Sequence, residues 1–152
     1  MFFDYPGEPA SSRADDFVVF GELRGEDWDK LLGYMRRERF AAGATVVRAG
    51  EDDPTLYMLA KGRVEVVDAS RAGGRRLAEI QEGSVFGEIG FFDRQPRTAT
   101  VRALTDAVTL SLRREQFDAM AVWEPNIARL ILLDLGRVLS RRLRGMLQGT
   151  DR

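Results

Sequence analysis

Hydrophobic and polar positions change their period twice along this chain. Trp28, Leu31, Leu32 and Met35 fall at i, i+3, i+4 and i+7, the stripe of an amphipathic helix, with Glu26 and Asp27 well placed in its first turn. The stripe predicts a helix that begins at Gly25 and ends near Arg39. Residues 1–16, with Pro6, Gly7, Pro9, Ser11 and Ser12, hold no sustained apolar period and read as a flexible lead-in.

Between Ala44 and Leu112 the helical period gives way to short β-rich segments with turn signals roughly every ten residues. The segments 45–48, 56–60, 63–68, 77–80, 98–103 and 108–112 read as strands, and a further strand ends at Val85-Phe86. Gly50, Gly62, Gly74 and Gly83 fall in the intervening turns, where glycine takes backbone angles that other residues avoid. After Arg114 the helical period returns in Phe117, Met120 and Ala121, breaks at Glu124-Pro125, and resumes over 126–147. There Ala128, Leu132, Leu135, Leu139, Arg142 and Met146 step by four and three in a heptad-like seam, and Ile127, Ile131 and Val138 form a second apolar edge. One face is expected to cover the strands and another to meet a partner.

The predicted fold is α+β: an antiparallel, jelly-roll-like β-roll of about eight strands, an N-terminal helix and two C-terminal helices. A flexible segment over 1–16 and one domain over 17–148 are expected. The domain divides into an N-terminal helical part (17–43), the roll (44–113) and the C-terminal helices (114–148). No internal repeat or low-complexity tract is present.

Composition narrows the function. At 152 residues, with 44% hydrophobic and 31% charged positions, the chain has the profile of one ordinary globular domain. A net charge of −1 provides no global positive field for gathering nucleic acid, so any anion site has to be local. With no cysteine and no histidine, Ser-His-Asp and Cys-His triads are ruled out, and so are the usual imidazole and thiolate metal sites. No catalytic residue and no metal ligand is assigned. Without a secretory pattern at the N-terminus or an apolar run long enough to span a bilayer, a cytoplasmic location and no membrane contact are expected.

The chemistry concentrates in residues 86–103, FGEIGFFDRQPRTATVRA. Gly87 lets the backbone turn closely, and the segment 88–92 can form a short helical turn with amides directed at an anion that Gly87 and Gly90 do not obstruct. Arg97 can add a guanidinium clamp to the same anion, and Thr98 a hydroxyl. Glu88, acceptor-only when ionised, suits a sugar hydroxyl beside it. Phosphate and sugar hydroxyl together describe a nucleotide. Taken singly, these residues also fit plainer roles: a turn with a solvated carboxylate, and an Arg97 paired on the surface with Asp93.

The stretch resembles the phosphate-binding cassette of the cyclic-nucleotide-binding domains of catabolite-activator-like regulators, cyclic-nucleotide-dependent kinases and gated channels. The shared pattern is FGE, a short variable turn, then R-(T/S/A)-A leading into a strand. Upstream, Ala49-Gly50-Glu51, Leu56-Tyr57-Met58-Leu59 and Lys61-Gly62-Arg63-Val64 are similar to the family's early strands and turns. The resemblance implies that Glu88 binds the ribose 2′-hydroxyl and Arg97 the cyclic phosphate, with the backbone of Gly87, Ile89 and Gly90 and the adjoining Thr98 and Ala99 completing the site. The ligand it implies is cAMP or cGMP, with no other cofactor, and Thr98 is compatible with either base. Leu77, Val85, Arg144 and Leu147 are candidates for packing on the base.

By the same resemblance the chain is expected to be a stand-alone sensor, not an enzyme, that relays ligand binding through its C-terminal helices to an effector protein left unspecified. A homodimer through the last helix is a further expectation. No DNA contact is expected, since the chain stops at Arg152 without the helix-turn-helix that follows in the transcription factors. The alternatives are a ligand-free interaction module on the same fold and a regulatory domain excised from a larger protein. A cupin-type enzyme is disfavoured by the absence of histidine.

Overall fold

The structure, a computed structural model, describes residues 20–149 apart from 71 and 73. The lead-in expected over 1–16 lies outside the described residues. Elements run in the order α1 (Gly25–Leu32), β1 (Arg36–Phe40), β2 (Thr45–Val47), β3 (Thr55–Lys61), β4 (Val64–Asp68), β5 (Arg75–Ile80), β6 (Val85–Phe86), α2 (Glu88–Asp93), β7 (Thr100–Ala103), β8 (Ala107–Arg113), α3 (Arg114–Trp123) and α4 (Pro125–Gly149). The eight strands form two antiparallel sheets, ordered β1-β8-β3-β6 and β2-β7-β4-β5. This is the predicted β-roll with helices at both ends.

Strand alternation sorts side chains into two cores. Because neighbours on a strand face opposite sides, Leu56 of β3 and Val85 of β6 join Leu112, Phe117, Met120, Ile131 and Leu135 in a core under the helices. Tyr57 and Phe86, one position on, and Leu59, two further along β3 from Tyr57, point into the roll beside Val64, Val66, Ala99 and Val101. The Tyr57 and Phe86 rings stack there, 5.1 Å apart and 4° from parallel. The cassette therefore leaves β6 between the two cores, which fixes its position from both sides.

Two expectations are corrected. The first helix ends at Leu32, not near Arg39, and residues 36–40 form edge strand β1, paired from Arg36↔Ser111 to Phe40↔Ala107. The backbone there gains a ladder of hydrogen bonds from β8, which outweighs the continued helical stripe. The two apolar edges of α4 are also not opposed. Ala128 and Leu135 of the seam are buried on the roll together with Ile127, Ile131 and Val138, while the outward face carries Leu132, Leu133, Leu143 and Leu147.

The start of the described chain is clasped to α4. The buried carboxylate of Asp134 accepts the Phe20 amide at 2.7 Å and Arg137 Nη1 at 2.8 Å. On the other side Lys30 of α1 meets Glu124, at the α3–α4 junction, at 3.0 Å.

Candidate functional site

The cassette begins with a backbone requirement. Gly87 has φ 80°, in the left-handed region that costs other residues strain, and a Cβ there would lie 2.9 Å from both Arg97 Nη1 and the Thr55 carbonyl oxygen. A Cβ on Gly90 would likewise lie 2.9 Å from Arg97 Nη1. Both glycines are thus the floor on which the Arg97 guanidinium rests.

Arg97 is buried, although arginine is rarely so unless paired. Nη1 donates to the Gly87 carbonyl at 2.8 Å and Nη2 to the Thr55 carbonyl at 2.6 Å. Its nearest carboxylate, Asp53 Oδ2, stands 3.7 Å away on a half-exposed side chain that also accepts from the Thr55 hydroxyl at 2.5 Å. The guanidinium lies 5.9 Å from the centre of the Tyr57 ring. Its Nε–H has no acceptor. Neutral carbonyls and a distant, shared carboxylate leave this buried positive charge under-compensated, an arrangement that favours an added anion.

The space in front of Arg97 is a shallow cleft, partly open to solvent, lined by Val47, Gly87, Ile89, Gly90, Pro96, Arg97, Thr98, Ala99 and Val101. Six of the seven residues assigned from the sequence to ligand binding meet there. The seventh, Glu88, lies between two lining residues but is wholly buried. One of its oxygens forms an ion pair with Arg142 of α4, and the other, Oε2, has no hydrogen-bond partner. Arg142 also donates to the Val85 carbonyl at 2.8 Å.

The base-packing candidates are not brought to this cleft. Val85 is fully buried in the core under the helices, Leu77 packs against the core inside the roll, and Arg144 and Leu147 lie on the exposed side of α4. Arg97 faces Asp53 here, and no ion pair with Asp93 forms; Asp93 instead accepts the Gln95 amide at 2.9 Å. Sequence reasoning missed three participants: Asp53, Thr55 and Arg142. The available signal for Arg142 was a cation standing in an otherwise apolar seam.

The class defined by the fold and the site geometry is a β-roll domain with a glycine-floored cleft beside a buried donor, Arg97 Nε, and a buried acceptor, Glu88 Oε2, that lack hydrogen-bond partners. The family comparison names the class. The model of the cyclic nucleotide-binding domain matches residues 37–122, and the chain belongs to that family, whose domains are regulatory and not catalytic. The cyclic AMP receptor protein of Thermus thermophilus is 32% identical over 127 residues, which are 83% of this chain and 57% of that protein. The chain thus spans little more than half the length of that curated relative. The crystal structure of the Thermus thermophilus catabolite activator protein superposes with a TM-score of 0.76 at 31% identity, covering 89% of this chain and 62% of that one. A cyclic nucleotide-binding domain from Methylobacillus flagellatus shares the fold with a TM-score of 0.78 at 22% identity, covering 90% and 78% of the two chains.

Among the described residues no helix is long and apolar enough to cross a membrane, and no group of three or more carboxylates is placed to hold a metal.

Proposed function

We propose that this domain is a sensor that binds a 3′,5′-cyclic purine nucleotide, cAMP or cGMP, and relays its occupancy through α3 and α4 to a partner protein. The observation that carries the reading is the buried, under-compensated Arg97 over Gly87 and Gly90, with its Nε–H unused. A cyclic phosphate in the cleft takes that donor, and the Thr98 hydroxyl and Ile89-Gly90 backbone border the same space. Amides in the first turn of α2 have no acceptor within the helix and turn toward a bound anion. The similarity to the cyclic AMP receptor protein of Thermus thermophilus supports the ligand class.

The relay has a covalent and a packed route. The cassette continues directly into β7, and α2 packs on α3 through the edge-to-face rings of Phe91 and Phe117, 5.5 Å apart. Arg114, at the start of α3, donates to the Phe91 carbonyl at 3.1 Å. A shift of α2 around the phosphate therefore moves α3, and with it the α3–α4 junction at Glu124-Pro125. The outward leucines of α4, at 132, 133, 143 and 147, offer the partner an apolar face, and a second copy of the chain is the simplest protein to meet it.

Hydrogen exchange tests the relay. Saturating cAMP or cGMP is expected to change the protection of residues 114–148. Unchanged protection in the presence of a ligand shown to be bound contradicts the relay and leaves a binding module without an output through these helices.

A further inference from the structure

We infer that residues 15–19 of this chain dock in a shallow groove on the outward face of α4 and hold part of the surface that the helix offers a partner. The groove is lined by Leu132, Leu133, Gly136, Arg137, Ser140 and Arg141. It is apolar at one end and basic at the other, with both leucines exposed and Arg137 and Arg141 exposed one turn apart on the same face. Gly136 makes the depression between them. A glycine inside a helix costs about 1 kcal/mol relative to alanine, yet a Cβ at this position would meet nothing within 4 Å. No packing among the described residues uses the room it leaves.

The sequence before Phe20 supplies an occupant of matching chemistry. Phe20 is tied to α4 by its amide, 2.7 Å from Asp134 Oδ2, and Glu22 stands 3.5 Å from Arg137 Nη1, so the chain meets the helix beside the groove. Immediately before Phe20 come the apolar Phe17, Val18 and Val19, and before those the acidic Asp15 and Asp16. The order along the segment is the order along the groove. From Asp134 to Arg141 the helix rises about 10 Å. The chain from Phe20 back to Asp16 spans up to about 14 Å when extended, enough to lay its apolar residues against Leu133 and Gly136 and to bring a carboxylate to Arg141. A second copy set symmetrically on the same groove brings Arg137 and Arg141 against their own copies, a like-charge contact that the acidic segment replaces with attraction.

The docked segment and a partner compete. A partner that reaches Leu132 and Leu133 has to displace residues 15–19, and its apparent affinity falls with the fraction docked. Leu143 and Leu147 lie beyond the groove.

Amide hydrogen exchange, followed residue by residue on the full chain, tests the docking. The amides of residues 17–19 are expected to exchange more slowly than those of a free chain. Gly136→Gln fills the groove where a side chain meets no described neighbour, so it is expected to remove that protection while the melting temperature holds or rises. Arg141→Glu is expected to reduce the protection about two- to fivefold, the size of an exposed ion pair, and Asp15→Arg with Asp16→Arg restores it in the Arg141→Glu background. These charge variants carry the test if Gly136→Gln fails to fold.

Exchange of residues 17–19 at the free-chain rate overturns the inference. Protection that Gly136→Gln and Arg141→Glu both leave unchanged overturns it too. Protection that grows with protein concentration does the same, because it identifies a second copy as the occupant of the groove.

Discussion

Arg142 and Glu88, 54 residues apart in sequence, meet in an ion pair that joins the last helix to the wall of the cleft. Because Glu88 is wholly buried and the Arg142 side chain is 16% exposed, solvent screens this pair little. Glu88→Ala takes the buried carboxylate away from Arg142 and leaves its bond to the Val85 carbonyl in place. The expected cost is about 3 kcal/mol of stability, in the range for breaking a buried pair. Chemical denaturation measures it, and a loss below about 0.5 kcal/mol, the level of an exposed pair, contradicts the assignment.

In the proposed function Arg97 carries the anion. Arg97→Ala is expected to weaken cyclic-nucleotide binding by a hundredfold or more, since about 3 kcal/mol attaches to a hydrogen-bonded charged contact. Arg97→Lys keeps the charge but cannot reach the Gly87 and Thr55 carbonyls as a fork while presenting a third donor, so its affinity falls between the two. Calorimetric titration of both variants checks the order.

The glycine floor makes a steric prediction. Gly90→Ala places a methyl group 2.9 Å from Arg97 Nη1, and Gly87→Ala adds a 2.9 Å approach to the Thr55 carbonyl at a positive φ. Gly87→Ala is expected to be the worse of the two, costing about 1–3 kcal/mol, with ligand affinity reduced in both. Thermal melts with and without nucleotide separate the stability loss from the binding loss.

Tyr57 supplies a pH dependence. Burial, reinforced by the nearby negative charge of Asp53, pushes its pKa from 10.0 up to about 12, with Arg97 opposing. The folded state thus holds the phenolic proton more tightly than the unfolded chain. Its contribution is whole below pH 10 and is lost as the pH rises toward 12. A two-unit difference corresponds to roughly 3 kcal/mol. Urea midpoints at pH 9 and pH 11.5 are expected to fall more for the natural protein than for Tyr57→Phe, whose ring keeps the stack on Phe86 without a titrating group. Equal falls contradict the assignment.

The cassette was legible in the sequence because it is local. Gly87, Glu88 and Arg97 lie within one turn between two strands, and the chemistry of each residue type points the same way. The roll was legible from its alternation, since Leu56 and Tyr57, or Val85 and Phe86, must face opposite cores. The missing parts depend on pairing across the fold. Thr55 meets Arg97 at a separation of 42 residues, and nothing near Thr55 in sequence announces a carbonyl aimed at an arginine. Arg142 reads as one arginine among several on a long amphipathic helix until the roll places Glu88 beneath it. Strand β1 was hidden for a similar reason: Met35 extends the helical stripe of α1, and only the ladder from β8 draws residues 36–40 into the sheet.

Cyclic-nucleotide binding by this domain is measured by calorimetric titration of the full chain with cAMP and with cGMP, using AMP as the control for an open phosphate. Saturable one-site binding of at least one cyclic nucleotide is expected, with markedly weaker binding of AMP and no measurable binding by Arg97→Ala in the same concentration range. Absence of binding by either cyclic nucleotide at millimolar concentration, with the protein folded, contradicts it and leaves the ligand-free interaction module as the reading of this domain.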